Sequence, residues 1–362
     1  HHFNSSMIFP ISIDAIRFVR NAFSLSKVDT QPNHVVRAEY PGLNGEYVPL
    51  KIIYPKGKIR KIVILYPGAT PFGEDHEEAT SLAHVMSGLG FKVYMPRIPL
   101  LMQLIISPEN VEWMAHFYQW VLTQEPALKI RITVVGMSFG GALLLKACMD
   151  SRMQSPHPAS IMIYSTFFDF DSSMNFLITG KFRHNNNEVH IKPNDWAGIV
   201  IMHNYLRHVN PGFDTEKIRE NLSFRVADEM DKVDEHFKTL SDFDQSFVES
   251  LMTANYNSDV LKTIQLIRET CRKELEDLSP RLWCSQFQQK VFILHGANDS
   301  MVPFTESVRL SETLPRNMLH ISHLYGHKTI ERMGNIWFLL KEAYGLVRFL
   351  SHFLNHNEHS NI

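Results

Sequence analysis

The chain has 362 residues, long for one compact domain and short for three. Its 44% hydrophobic and 20% charged residues are an ordinary soluble globular composition. A net charge of −2, from 36 basic and 38 acidic residues with no long basic run, argues against a nucleic-acid partner.

In chain order, His1–Ser6 read as a tag remnant. "IFPISIDAIRFVRNAF" lacks a basic n-region and is interrupted by Asp14 and Arg17, so it is expected to be an amphipathic surface helix, not a signal peptide. "HVVRAEY" and "YVPLKIIY" flank the turn signal "PGLNG" and predict a hairpin. "KIVILYPG" predicts a buried strand, Glu78–Gly90 a helix stopped by glycine, and "FKVYMP" another strand. "SPENVEWMAHFYQWVL" predicts a helix with Ser107 as cap and Pro108 at the first helical position. "IRITVVG", "GGALLLKACMD" and Ala159–Phe167 follow as strand, helix and strand. Strands alternating with helices imply an α/β fold, a mostly parallel sheet with helices on both faces.

The alternation then stops. From Asp171 to Trp283 no convincing strand is predicted; "RHNNNEVH" reads as a polar loop among helical segments. The charged stretch Asp214–Lys238 reads as a solvated helix face. After "LSPRLW" the alternation resumes with "KVFILHG", a helix, "NMLHISHLYGH" and a terminal helix that carries Lys341, Glu342 and Arg348. Those charges suit a docked helix, not a membrane span. The expected organisation is therefore one α/β core, 1–170 and 284–362, interrupted by a helical insertion, 171–283.

Cys148, Cys271 and Cys284 are odd in number and widely spaced, which argues against a disulfide framework and for a reducing, cytoplasmic setting. Cys148, inside an apolar run, is expected to be a buried thiol. Nineteen histidines are scattered, without HExxH or CxxC, so neither metal nor other cofactor is expected.

The strongest local signal is Gly136-Met137-Ser138-Phe139-Gly140 between a buried strand and a helix. Such a turn forces a serine into a strained conformation beside a helix amino terminus and holds its hydroxyl above the sheet edge. Alone it could be a tight packing turn. A serine hydroxyl needs a base, and His327, on the loop before the terminal helix, is the candidate; His323 reads as a packing residue. Asp299 in "HGANDSMVPF" is the candidate acid, which would orient the imidazole, although it could simply cap its turn. Asp169 and Asp171 are its rivals. "YPGATPFGED" could supply an oxyanion donor through the N–H of Ala69, or alternatively Thr70, beside the N–H of Phe139.

In "GMSFGG", "HGANDSMVP", "YGH" and the "YPGATPFGED" loop the chain resembles the α/β-hydrolase superfamily, specifically serine carboxylesterase-like members with a helical cap. The resemblance covers roughly the first 170 residues and the last 80. "LSPRLW" resembles the re-entry segment before the acid-bearing strand. The resemblance implies the triad Ser138, Asp299 and His327 and an oxyanion hole at Ala69 and Phe139. Many members have His-Gly where this chain has Tyr66-Pro67-Gly68. Serine at 138 departs from the cysteine of dienelactone hydrolases and the aspartate of dehalogenases.

The expected function is hydrolysis of a small-molecule carboxylic ester through an acyl-enzyme, with no stable membrane anchor. An acyltransferase or thioesterase on the same triad, and a catalytically silent binding module, are the alternatives. The insertion would lie over the carboxyl ends of the strands, where α/β sheets bind ligands. "SMNFLITG" and "WAGIVIMHNYL" are its candidates to line a pocket, or to form its own core.

Overall fold

The structure, a computed structural model, describes residues 11–24, 34–324 and 336–360. Its strands are β1 (His34–Pro41), β2 (Tyr47–Tyr54), β3 (Lys61–Tyr66), β4 (Phe91–Pro96), β5 (Ile132–Met137), β6 (Ser160–Tyr164), β7 (Lys181–His184), β8 (Asn187–His190), β9 (Val291–Gly296) and β10 (Asn317–Ser322). Eight of them form one sheet in the order β1-β2-β4-β3-β5-β6-β9-β10. Only β2 runs against the rest. The β1–β2 hairpin forms at the predicted turn, where Gly45 takes φ +81°.

The helices are α1 (Ile13–Ser24), α2 (Glu77–Ser87), α3 (Pro99–Met102), α4 (Glu109–Gln124), α5 (Phe139–Cys148), α6 (Phe170–Thr179), α7 (Asp195–Tyr205), α8 (Glu216–Val226), α9 (Met230–Phe237), α10 (Asp242–Met252), α11 (Ser258–Thr270), α12 (Arg272–Asp277), α13 (Thr305–Thr313) and α14 (Ile336–Asn355). The period-2 alternation of the strands assigns them to two layers. Ile62, Ile64, Val134, Ile161 and Ile293 face a cluster with α4, α5 and α13. Val63, Leu65, Val135, Met162 and Phe292 face α1, α2 and α14. Both faces are thus covered, as near-continuous apolar strands require.

Two sequence boundaries move. The strand expected to reach Phe167 stops at Tyr164, because Ser165 takes φ +50° and turns the chain off the sheet. Pro108, expected at the first helical position after a Ser107 cap, is itself the N-cap residue of α4, while Ser107 Oγ accepts the Glu109 N–H (3.2 Å). Cys148, Cys271 and Cys284 are all free and buried.

Between β6 and β9 the chain runs through α6–α12. Side-chain caps set the starts of α7, α10 and α11: Asn194 accepts from Trp196 N, Ser241 from Asp244 N, and Asn257 from Asp259 N and Val260 N. "RHNNNEVH" is not a loop. It is the antiparallel hairpin β7–β8, with Asn185 and Asn186 both at positive φ (+49° and +64°) in its turn. Asparagine tolerates the left-handed region that a two-residue hairpin turn demands, and this signal was present in the sequence.

This segment rests on two loops. Asn204 Nδ2 donates to Leu104 O (2.7 Å), and its Oδ1 accepts the Ile106 N–H (2.9 Å). Asn194 N donates to Ser300 O (2.8 Å). The first loop follows the carboxyl end of β4 and the second that of β9. Most apolar residues of "SMNFLITG" and "WAGIVIMHNYL", among them Met174, Phe176, Ile199 and Met202, are buried in the same cluster as the α4–α5 face of the sheet. Among the described residues no helix is long and apolar enough to cross a membrane.

Candidate active site

The site begins at the carboxyl end of β5. Ser138 takes φ +50° and ψ −128°, a region that costs a non-glycine residue about 1–3 kcal/mol and persists only where the surroundings impose it. Those surroundings are visible. Ser138 N–H donates to Tyr164 O (2.7 Å), and Gly141 N–H donates back to Ser138 O (2.9 Å). A Cβ at Gly136 would stand 2.9 Å from Gly141 Cα, so the strand and α5 close only around glycine. Ser138 is the N-cap residue of α5, yet its side chain makes no capping hydrogen bond. Ser138 is half-buried at the positive end of the helix.

The loop after β3 lies against this turn. A Cβ on Gly68 would stand 3.3 Å from Ser138 Cβ and 3.1 Å from Met137 O. Ala69 follows, half-buried. Thr70, the alternative oxyanion donor, already gives its N–H to Leu101 O (3.2 Å). Phe139, whose N–H is the other candidate donor, stacks its ring on Phe167 (5.7 Å between centroids, 14° between planes).

The far end of the same loop is pinned by charge. Glu74, 2% exposed, binds Arg97 bidentately, with Nε–Oε2 at 2.9 Å and Nη2–Oε1 at 2.7 Å. Asp75 accepts from Arg37 (2.9 Å) and from the buried Lys51 (2.9 Å). The Arg37 hydrogen bond, with Lys51, holds the Asp75 carboxyl down from its ordinary 3.8 to about 2. Sequence reading passed over Glu74, Asp75 and Arg97. Their signal was a pair of acids in a loop whose apolar neighbours leave little room for unpaired charge.

Asp299 lies beyond the carboxyl end of β9, two strands from β5 on the same edge. Its Oδ1 accepts from Met301 N (2.8 Å) and Val302 N (3.0 Å), the turn-capping role weighed from the sequence. Its Oδ2 stands 3.5 Å from His295 Nε2. Burial pushes the Asp299 carboxyl up, but His295 and the two amides outweigh it and leave its pKa below the ordinary value. The rivals are engaged elsewhere. Asp169 caps α6 through Asp171 N and sits 3.4 Å from Arg281 Nε. Asp171 is held by Arg268 at 2.9 and 3.0 Å.

His327 lies outside the described residues. The chain is followed to Leu324, just past β10, whose carboxyl end sits on the same sheet edge as Asp299. His323 is half-buried just after the strand, with its ring 5.8 Å from that of Phe338, so it packs as expected. Backbone bonds lace this edge together: Ser138 N to Tyr164 O, Ser165 N to Leu294 O, and Ala297 N to Ser322 O. Among the described residues no group of three His, Cys, Asp or Glu is placed to hold a metal ion. A cavity of about 360 Å³, lined by Cys148, Gln289, Arg316 and Glu358 among others, lies at the opposite, amino-terminal edge.

An eight-stranded sheet of this order, one reversed strand in second place, and a strained serine between β5 and α5 define the α/β-hydrolase fold. The uncomplexed acylaminoacyl peptidase of Pyrococcus horikoshii is similar to the chain at TM-score 0.50 and 12% identity, over 94% of this chain and 44% of that one. The chain thus spans less than half the length of that peptidase. An esterase domain from Rhodothermus marinus is similar at TM-score 0.42 and 10% identity, over 80% and 87% of the two chains. An esterase from Exiguobacterium antarcticum gives 0.42 and 14%, over 87% and 99%. No protein-family model and no curated protein matches the sequence.

Proposed function

We propose that the protein is a serine hydrolase that cleaves a carboxylic ester through an acyl-enzyme. The observation that carries this reading is the conformation of Ser138, which only its packed surroundings sustain. Strain of this kind clusters at functional sites.

In the proposed reaction, Ser138 Oγ attacks the acyl carbon while His327 takes its proton. The oxyanion that forms accepts hydrogen bonds from the N–H groups of Ala69 and Phe139. Collapse expels the alcohol, protonated by His327, and leaves the acyl group on Ser138. Water, deprotonated by His327, then attacks the ester and releases the acid and the free serine. Asp299 orients the imidazole and stabilises its protonated form. Asp299 suits this role because Oδ1 is held by the two amides and Oδ2, 3.5 Å from His295 Nε2, has a second lone pair for another imidazole. Residues 171–283 form a helical cap over this edge in the proposal, a placement supported by the anchors at Asn204 and Asn194.

The test is turnover of p-nitrophenyl esters and acyl-CoA thioesters of rising chain length, with product acids quantified in the presence and absence of an added alcohol. Release of free acid from esters is expected. No turnover of any ester or thioester would sink the reading, and transfer to the alcohol in place of acid release would move it to an acyltransferase.

A further inference from the structure

His295 is the next-to-last residue of β9 and is fully buried. Each polar atom of its ring has a partner. Nδ1 lies 2.7 Å from Ser307 Oγ, and Nε2 lies 2.9 Å from Val302 O and 3.5 Å from Asp299 Oδ2. A carbonyl oxygen can only accept, so Nε2 carries the hydrogen. In the neutral ring Nδ1 then accepts from the Ser307 hydroxyl, which fixes the ring plane from behind. The Nε2–H therefore points between Val302 O and Asp299 Oδ2. The same short turn returns the Met301 and Val302 amides to Asp299 Oδ1.

We propose that His295 is a positioning residue for the candidate acid: its Nε2–H, held by Ser307, fixes the rotation of the Asp299 carboxylate and keeps Oδ2 turned toward the site. The proposal rests on the reading of Asp299 as the triad acid. Without that N–H the two backbone amides still hold Oδ1. Rotation about the side-chain bond would then be restrained at Oδ1 only, and Oδ2 would lose its contact with the imidazole. Misplacement of a catalytic group by about 1 Å can cost about 100-fold in turnover. A defect in positioning lowers kcat and leaves substrate binding largely intact.

The full chain would be compared as native, His295→Phe, His295→Gln, Asp299→Asn and the double variant His295→Phe/Asp299→Asn, with p-nitrophenyl butyrate as probe and circular dichroism to establish the fold. Glutamine places an N–H near the Nε2 position; phenylalanine fills the space without one. The expected result is a kcat lowered about 10- to 100-fold in His295→Phe with KM within about twofold, restored most of the way in His295→Gln. In the Asp299→Asn background the phenylalanine should add almost no further loss, because the histidine acts through the carboxylate. Equal losses with and without Asp299, a folded His295→Phe with native kcat, or a His295→Gln no better than phenylalanine would overturn the assignment. Should His295→Phe itself fail to fold, Ser307→Ala, which frees the ring without removing it, gives the same comparison. Undiminished turnover in Asp299→Asn would instead overturn the reading of the acid, a distinct outcome.

Discussion

Gly140 lies so close to Pro67 that a Cβ on it would stand 2.1 Å from the Pro67 carbonyl oxygen. The neighbour is backbone, so the clash cannot be relieved by turning a side chain. Gly140→Ala is therefore expected to push the Pro67–Gly68 segment away from Ser138. Overpacking of this kind costs about 1–3 kcal/mol, read as a lowered denaturation midpoint. Turnover should fall by more than the stability loss explains, because the displaced segment leads directly into Ala69. A variant with native midpoint and native turnover would show that the close approach is dispensable.

Arg97→Ala should destabilise the fold, because it leaves Glu74, 2% exposed, without its guanidinium. Breaking a fully buried pair from one side costs about 3–5 kcal/mol, and with the Arg97 side chain 31% exposed the loss should fall below that range. Arg97→Ala/Glu74→Leu should recover much of that loss, since the uncompensated charge is gone. Chemical denaturation of the two variants checks this, and equal stabilities would mean that the ion pair matters little.

The Asp75 cluster makes a pH-dependent contribution whose sign follows from its depressed pKa. The carboxyl is ionised more readily in the folded protein, where it titrates at about 2, than in the unfolded chain, where it titrates near 3.8. Its contribution is thus fully present above the higher value and is lost as pH falls toward the lower one. Asp75→Asn should therefore be less stable than the native protein at neutral pH, with the gap narrowing as pH is lowered through that window. Since Asp75 is 46% exposed, the gap should also shrink with added salt. Urea denaturation midpoints across the range provide the measurement; a gap that widens in acid would contradict the sign.

Asn204→Leu tests the seat of the inserted segment. The buried asparagine satisfies Leu104 O and the Ile106 N–H, and Leu104 itself takes φ +57°. Removing it orphans both groups at about 1–3 kcal/mol. Limited proteolysis should then cut the loop after β4, or the segment 171–283, faster than in the native chain. Unchanged cleavage and midpoint would show that other contacts hold the segment.

Much of this was legible because the local signals were strong. The strand–turn–helix around Ser138 is demanded by Gly136 and Gly140, and the sequence carries both. The unbroken apolar run Ile62–Tyr66 likewise announces a strand buried on two faces. The β7–β8 hairpin was missed because its strands are four residues long, polar and mostly exposed, so no apolar period marks them. Glu74–Arg97 and His295–Asp299 could not be read locally in full. The first joins residues brought together by strand pairing, and the second depends on where Ser307 and Val302 stand in space. Strand order, too, is set by crossovers that length and composition do not encode.

The central claim is that Ser138 is an activated nucleophile. Its most direct test is treatment of the folded protein with a fluorophosphonate, followed by intact mass and peptide mapping, beside Ser138→Ala as control. The account predicts a single adduct on the peptide that carries Ser138, none on the alanine variant, and an ester turnover in that variant lower by about 10⁴-fold or more. An unmodified native protein, or equal labelling of the two proteins, would contradict it.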